Sequence, residues 1–426
     1  MKIEEAGGSV WGSGAGREGQ ARGIGGLLTG QAVIGFGAGG RTEHGGLATL
    51  AQSWQSSAMR VLGFMTGTSL DAVDMAVLET DGVSIQAFGP AGERKLSDAT
   101  RDVVLEATRQ ALGLERGASE PAIFQHTAAM VAEEHFAAAE TFLATNGLAW
   151  PDIDLIGMHG QTVFHERPRD GVPGRTIQLG DGVMLARLTG RPVAFDFRSA
   201  DVAAGGEGAP LAPIYHLARA KASGLSAPLA VLNIGGVANV TFWSGGEDLV
   251  AFDTGPGNGM IDLMVQAHGA GRFDDGGKYA SVGRADEGVM SVLLAHPYFR
   301  ARPPKSLDRY DLSLEPLAGL KLEDAAATLV AFMAEGVKRA FEAIGQTPTE
   351  VIVCGGGRHN PEIMKVLAER LPMRVRTAED HGWRGDSIEA EAFAFLAART
   401  FHGLPISFPG TTGVAGPMRG GRIVRL

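Results

Sequence analysis

The chain has 426 residues, 44% of them apolar and 20% charged, with a formal net charge of −10; this allows two or three domains with cores of their own and excludes a disordered or fibrous protein. The acidic balance argues against non-specific nucleic-acid binding, which needs basic surface to displace counterions, and the single cysteine, Cys354, excludes an internal disulfide or a multi-cysteine zinc site. No apolar run approaches the ~18 residues of a membrane span, and the acidic start MKIEE is unlike a secretory signal; a cytoplasmic protein of small-molecule partners, without nucleic acid or membrane, is expected.

Residues 1–58 hold sixteen glycines and no sustained helical or strand period. Glycine loses the most backbone entropy on ordering, so this segment reads as a disordered extension, with Met59 the natural start of the folded protein. Within it AVIGFGAGG matches G-x-G-x-x-G through Gly35, Gly37 and Gly40. That dinucleotide motif needs a following helix and an acidic residue about 20 positions on. RTEHGG follows instead, and no Asp or Glu occurs between Glu43 and Asp71, so a nicotinamide site is not expected.

From Met59 onward strands and helices alternate. RVLGFM predicts a strand, TGTSLD a turn and AVDMAVLE a second strand, together a hairpin opening a sheet. Helices are predicted from about Ser97 to Leu112 and from about Glu120 to Thr145. DLIGMHG reads as a buried strand, IQLGDGVMLARLTG as a turn leading into a helix, and PVAFDF as a further strand. LAVLNIGGVANVTFW repeats the pattern of strand, glycine turn, strand, which points to a duplicated architecture with a cleft between halves. EVIVCGGGRHNPEIMKVLAERL then gives strand, triple-glycine turn and helix in the order used by ligand-binding α/β crevices, and IEAEAFAFLAART a helix near the end.

The candidate chemistry sits in the turns. In GFMTGTSLDAVD, Gly67, Thr68 and Ser69 offer backbone N–H groups and hydroxyls suited to phosphates, while Asp71 and Asp74 make sense if a divalent cation, magnesium with several waters kept, lies between them and the phosphates. The expected guest is therefore a metal-bound nucleotide. The stretch is neither G-x-x-x-x-G-K-[ST] nor G-x-S-x-G, so neither a P-loop nor a serine-hydrolase elbow is present here; the bland alternative is a tight turn. In AFDTGPGNGMID, Asp253 follows a short strand and precedes a glycine-proline turn. Such a carboxylate, ionised at neutral pH given the ordinary ~3.9, is a candidate general base, or else the cap of a helix starting near Gly259. The turn Gly355, Gly356 and Gly357 could admit a flat nucleobase, with Asn360 as ligand or helix cap. His159 alone reads more readily as a structural histidine than as a metal ligand, and Arg198 and Lys305 each as an anion contact or a surface cation.

In order along the chain, GFMTGTSLDAVD, GMHGQTVFH, QLGDG, FDFRSADVAAGGEGAPLAP, LNIGGVANVT, FDTGPGNGMID, PPKS, CGGGRHNP and DSIEAEAFAFLAART closely resemble the anhydro-N-acetylmuramic acid kinases, over essentially all of 59–426. The resemblance implies two ribonuclease-H-like (actin/hexokinase-like) α/β domains around an ATP cleft, taken as 59–200 and 201–426, with the last segment free to return to the first. It implies that ATP and water act on 1,6-anhydro-N-acetylmuramic acid, opening the anhydro ring and phosphorylating the 6-oxygen, in cell-wall recycling. On this resemblance Asp253 is the general base. Gly67, Thr68, Ser69, Leu70, Asp71, Ala72, Val73 and Asp74, with Asn233, Gly235 and Gly236, hold phosphates and Mg2+, which Asp71 contacts through water. Gly355, Gly356, Gly357 and Asn360 flank the nucleoside, and Glu389 contacts nucleotide or metal. His159, Gln161, Asp196, Arg198, Gly206, Gly208 and Ala209 line the sugar pocket, and a homodimer is consistent with the family.

This sequence departs from the family pattern at Ala72, usually glycine, and at Glu207, usually glutamine, where an added negative charge faces a substrate that carries a carboxylate. The rival readings are a kinase of an ordinary sugar hydroxyl on the same fold, a non-catalytic ATP-binding regulatory module, and a glycosidase using paired carboxylates without nucleotide.

Overall fold

A computed structural model of the chain describes residues 57–67, 69–169, 171–246, 248–307 and 311–426. The glycine-rich extension, its pattern at Gly35, Gly37 and Gly40, and the candidate phosphate residue Thr68 lie outside the described residues.

The first half runs β1 (Met59–Met65), β2 (Ala72–Thr80), β3 (Ile85–Lys95), α1 (Asp98–Leu112), α2 (Ala122–Thr145), β4 (Leu155–Met158), β5 (Gln161–Glu166), β6 (Arg175–Leu179), α3 (Gly182–Thr189), β7 (Val193–Phe195) and α4 (Ser199–Ala203). It continues with α5 (Pro213–Ala222), β8 (Leu229–Ile234), β9 (Val237–Trp243), β10 (Leu249–Pro256), α6 (Asn258–Ala267), α7 (Glu287–Leu294), α8 (Leu322–Ile344) and β11 (Glu350–Cys354). The chain closes with α9 (Pro361–Arg370), β12 (Arg374–Thr377), α10 (Ile388–Phe401), α11 (Pro409–Thr412) and β13 (Arg422–Val424). The turns do what their residues suggest: in QLGDG, Asp181 caps α3 by accepting from Met184 N at 2.8 Å, and Ser97 caps α1.

Two sheets share one strand order. In the first, β1, β2 and β3 form an antiparallel meander and β4 and β7 add parallel to β1, giving the order β13-β7-β4-β1-β2-β3. In the second, β8, β9 and β10 form the meander and β11 and β12 add parallel to β8, giving β10-β9-β8-β11-β12. Each is the ribonuclease-H-like arrangement, so the duplication suggested by the two glycine-turn hairpins is real at the level of topology. β5 and β6 make a separate hairpin. β13 pairs antiparallel with β7, so the chain's end returns to the first sheet.

Helices cover both faces, which is why the central strands are apolar throughout, as in Val61, Leu62 and Phe64 of β1. One outer core packs α1, α2 and α3 on the first sheet; a second packs α6, α7, α8 and α9 on the other. A third core lies between the sheets and is built around α5 and α10, with Val61 and Leu78 on one side and Val231 and Ile352 on the other. Its geometry depends on two glycines that face each other in register, Gly63 of β1 and Gly157 of β4. A Cβ on Gly63 would lie 2.0 Å from the Ala390 carbonyl oxygen, and one on Gly157 would lie 2.3 Å from that of Phe393, so bare backbone is what lets α10 approach the sheet. The same core holds a polar knot. Glu391 of α10 is fully buried, accepting from the Tyr215 hydroxyl of α5 and from Arg384 Nε at 2.7 Å, while Arg384 Nη1 reaches the Gly89 carbonyl of β3 at 2.6 Å. Full pairing is what makes a buried carboxylate tolerable there.

Candidate active site

The C-terminal ends of the β1, β4, β8 and β11 strands open on one cleft of about 1030 Å³, at or above the usual ~300–1,000 Å³ of small-molecule sites. Its floor is the start of α10, with Ile388, Glu389 and Phe393, and its walls are the glycine turns of both hairpins. Strand register sets the side chains that face it. On the first sheet Met65, Asp74 and Glu93 lie abreast on β1, β2 and β3. On the second, Asn233, Asn239 and Asp253 lie abreast on β8, β9 and β10. All six line the cleft.

Asp253 sits where β10 bulges against β9, between Asp253 and Gly255, a device that re-aims a strand end. The segment after the 297–300 turn fixes it: Asp253 N donates to the Lys305 carbonyl at 3.0 Å, and Leu307 N donates to Asp253 Oδ2 at 2.7 Å. The Tyr298 hydroxyl also donates to the Asp253 carbonyl. It does not cap the following helix, whose N-cap is Gly257. Burial pushes its carboxyl from the usual 3.8 up to about 7; Glu207 pushes the same way, while the Leu307 N–H, Arg167 and Lys305 oppose. The ordinary value of ~3.9 used in reading the sequence is thus raised by the packed chain, because that value belongs to a solvated carboxylate. Lys305 turns from the cleft, its Nζ donating to the Tyr298 carbonyl at 2.9 Å, and burial draws its pKa down to about 8.

The facing row is acidic. Burial raises Asp74 to about 7, with Glu389, Glu93 and Asp386 adding to the rise. Glu389 is open to the cleft yet walled by protein, and burial raises it too, against the pull of Arg198. Asp386, by contrast, is drawn down to about 2 by its hydrogen bonds from Arg358, a guanidinium that also grips Glu379 and the Gly355 carbonyl. Among the described residues no three His, Cys, Asp or Glu side chains close into a metal cage.

Of the residues singled out from the sequence, Gly67, Ser69, Asp71, Ala72, Asp74, Asn233, Gly235, Gly236, Gly355, Gly356, Asn360 and Glu389 line the cleft, as do His159, Arg198, Ala209 and Asp253. Asn360 caps α9 with its Oδ1, accepting from Glu362 N at 3.0 Å, and its Nδ2 reaches the Asp274 carbonyl at 3.4 Å. Asp71 faces Arg272 across the cleft at 3.3 Å. The side chains of Leu70 and Val73 belong to the first outer core, so only their backbone is available to a ligand; Leu70 has φ +56, the left-handed conformation that a tight turn forces on it. Gly357 backs onto Ile234. Gln161 is buried behind the Gly67 turn, its Nε2 3.5 Å from the Gly67 carbonyl.

The GGEGAP loop is a structure rather than an open flap. Asp201, buried in the middle of α4, accepts from Gly208 N at 2.7 Å and from the Thr412 hydroxyl at 2.6 Å, and Gly206 packs against its carboxylate. Gly206 and Gly208 thus shape the loop without lining the cleft wall, and Asp196, at φ +58, holds the turn before it. Arg198 Nη1 donates to the Gly208 carbonyl at 2.8 Å and its Nε to His159 Nε2 at 3.0 Å. Burial, with Arg198 adding, holds His159 well below the ordinary imidazole value, so it is the neutral acceptor of that bond. Glu207 accepts from the Ser306 hydroxyl, one residue from the amide that binds Asp253.

Glu93, Asn239, Asn258, Arg272 and Asp386 line the cleft without having been singled out. Glu93 was hidden because β3, IQAFGPAGERK, reads as a glycine- and proline-broken stretch rather than a strand. The GRFDDGG run around Arg272 carried a usable signal, glycines bracketing charged residues.

A family model described as "Anhydro-N-acetylmuramic acid kinase" matches residues 59–425. The chain is 76% identical over 367 residues to a protein of that name from Phenylobacterium zucineum, covering 86% of this chain and 100% of the relative. It is 67% identical over 368 residues to the one from Caulobacter vibrioides, covering 86% and 99%. Among solved structures it is similar to the (R)-2-hydroxyglutaryl-CoA dehydratase component A of Acidaminococcus fermentans, with a TM-score of 0.42 and 13% identity over 80% of this chain and 98% of that one.

Proposed function

The chain belongs to the anhydro-N-acetylmuramic acid kinase family, and we propose, from the arrangement of the cleft, how its residues perform that reaction. The enzyme uses ATP and water to convert 1,6-anhydro-N-acetylmuramic acid into N-acetylmuramic acid 6-phosphate and ADP, a step of cell-wall recycling. Water adds to the anomeric carbon, the bond from that carbon to the 6-oxygen breaks, and the 6-oxygen takes the γ-phosphoryl group in line as the bond to ADP breaks.

Asp253 is the base that takes the water's proton. The observation carrying this role is its setting: a carboxylate fixed by the backbone on both sides, partly withdrawn from water, and facing the cleft. Raised to about 7, it is a stronger base than an ordinary carboxylate and is still substantially ionised at neutral pH. Arg198, held by His159 and Gly208, is the cation best placed to orient the sugar. The neutral His159 is a positioning residue for it, and Ala209 continues the same wall.

The Gly67 and Ser69 turn and the Gly235–Gly236 turn supply backbone donors to the phosphates, with Gly355, Gly356 and Asn360 beside the nucleoside. The residues fit magnesium: the neighbouring carboxylates of Glu389 and Glu93 add to the cost of ionising the part-buried Asp74, a strain that a divalent cation relieves. Asp71 and Asp74 would hold it, partly through water, and it would supply charge neutralisation at the transferring phosphoryl group. Among the described residues no helix is long and apolar enough to cross a membrane.

The test is ADP release from the purified chain with magnesium and ATP, with and without the anhydro sugar, with the sugar product weighed by mass spectrometry. A ring-opened sugar phosphate formed in step with ADP is expected. ADP released at one slow rate regardless of sugar would remove this substrate.

A further inference from the structure

The cleft is lopsided in charge. Among the described residues that line it stand nine carboxylates, two guanidinium groups and no lysine. A nucleoside triphosphate is itself a polyanion, so one divalent cation leaves much of the repulsion in place. Of the two arginines, Arg198 is already committed to His159 and Gly208 and is half-buried at the sugar wall. The other, Arg272, is 70% exposed at its side chain and reaches across the cleft to Asp71, itself 57% exposed, at 3.3 Å.

The two partners are anchored very differently from their contact. Asp71 belongs to the turn between β1 and β2, and Arg272 to the loop after α6. That loop is rigid at its base: Asp274 is buried and accepts from Tyr279 N at 2.8 Å and Ala280 N at 3.1 Å, and Tyr279 closes the loop on the Ala270 carbonyl at 2.9 Å. Gln266 Nε2 holds the Arg272 carbonyl at 2.9 Å. The backbone under Arg272 is thus fixed while its guanidinium is held only by an exposed ion pair, and exposed pairs of this kind are weak and readily exchanged. A phosphate group offers the guanidinium an anionic partner with two oxygens to accept its N–H groups bidentately in the same place.

We propose that Arg272 is the enzyme's polyphosphate-binding cation: it pairs with Asp71 in the empty cleft and passes to the β- and γ-phosphates when the nucleotide enters. The exchange serves both sides, since it neutralises phosphate charge and releases Asp71 to the magnesium shell. This rests on the cleft being the nucleotide site, as proposed above.

The experiment uses the full chain with Arg272→Gln and Arg272→Lys, measuring KM for ATP and for the anhydro sugar separately, and affinities for ATP and adenosine. For R272Q the KM for ATP rises about tenfold or more, the sugar KM stays within about twofold, adenosine affinity is unchanged, and R272K recovers part of the loss. An unchanged KM for ATP in an R272Q enzyme that still turns over overturns the role of Arg272 while leaving the nucleotide site intact. A rise confined to the sugar KM, or an equal loss for adenosine and ATP, overturns it as well. If the wild-type protein shows no ATP-dependent turnover of the sugar, the underlying reading falls first, and the two failures are told apart.

Discussion

The two sheets have the same strand order and present rows of side chains from equivalent strands, yet one row is Met65, Asp74 and Glu93 and the other Asn233, Asn239 and Asp253. In the first, the part-buried Asp74 is raised by burial and further by its carboxylate neighbours Glu389, Glu93 and Asp386. In the second, amides flank a single carboxylate, whose rise comes chiefly from burial and is checked by a backbone N–H and two cations. Topology therefore fixes where the rows stand, and the side chains divide the labour: a crowded row suits a cation with its phosphates, and an isolated carboxylate suits proton transfer.

The sharpest way to break that division is Asp253→Asn. The amide keeps the shape and can still accept from Leu307 N, but it cannot take a proton, so kcat is expected to fall by about 10²–10⁴ while the KM for ATP stays within about twofold. Turnover near the wild-type rate would return Asp253 to the status of a turn residue. The same variant has a signature in stability. Because the folded pKa of about 7 lies above the usual 3.8, the wild type loses stability as pH rises from about 4 to about 7. D253N escapes that loss, so it should be the more stable protein at pH 8, by ~1–3 kcal/mol, and indistinguishable at pH 3.5. Denaturant melts at the two pH values read this directly.

Asp74→Asn probes the other row. If Asp74 shares a cation with the phosphates, removing its charge raises the magnesium concentration for half-maximal rate by about tenfold, with the sugar KM little changed. A loss of kcat at saturating magnesium, with no change in the magnesium requirement, would instead make Asp74 a second participant in proton transfer and abolish the contrast between the rows.

The packing that keeps the rows opposite each other can be tested at Gly63. A methyl group there meets the Ala390 carbonyl at 2.0 Å, and backbone cannot step aside as a side chain can. Gly63→Ala is expected to destabilise the protein by ~2–4 kcal/mol, seen as a lowered Tm, or to raise both KM values together by displacing α10 from the cleft floor. An unaltered Tm would mean that α10 is less tightly seated than its glycine partners imply.

Much of this was legible in the sequence because local rules and tertiary demand agree at the hairpins. LGFMTGTSLD and LNIGGVAN announce themselves by an apolar strand, a glycine turn and a polar ligand set, and Asp253 by its place between strand and glycine-proline turn. What stayed hidden was non-local. Glu93 reaches the cleft only through the register of a strand broken by Gly89, Pro90 and Gly92, and Arg272 and Asp386 only through loops whose position the fold decides. Gly206 and Gly208 were legible as glycines but not as the wrapping of Asp201. The pKa of Asp253 could not be read from composition at all, since burial, its main cause, is a property of the packed chain.

The smallest expected effect is the most discriminating for the environment of Asp253. Burial is the first cause of its raised pKa and the charge on Glu207 a secondary one, so removing that charge should move the titration modestly and in one direction. Glu207→Gln keeps an oxygen for the Ser306 hydroxyl and so preserves the loop that carries Leu307 to Asp253. With the negative neighbour gone, Asp253 ionises more readily, and the acid limb of the kcat profile, expected near 7 in the wild type, shifts to lower pH by ~0.5–1 unit. The variant then outpaces the wild type at pH 6 and matches it at pH 8. An unmoved limb would mean that solvent screens the two carboxylates from each other, leaving burial alone to set the base. A shift to higher pH would mean that Glu207 acts chiefly by ordering the 305–307 segment, whose amide stabilises the ionised form.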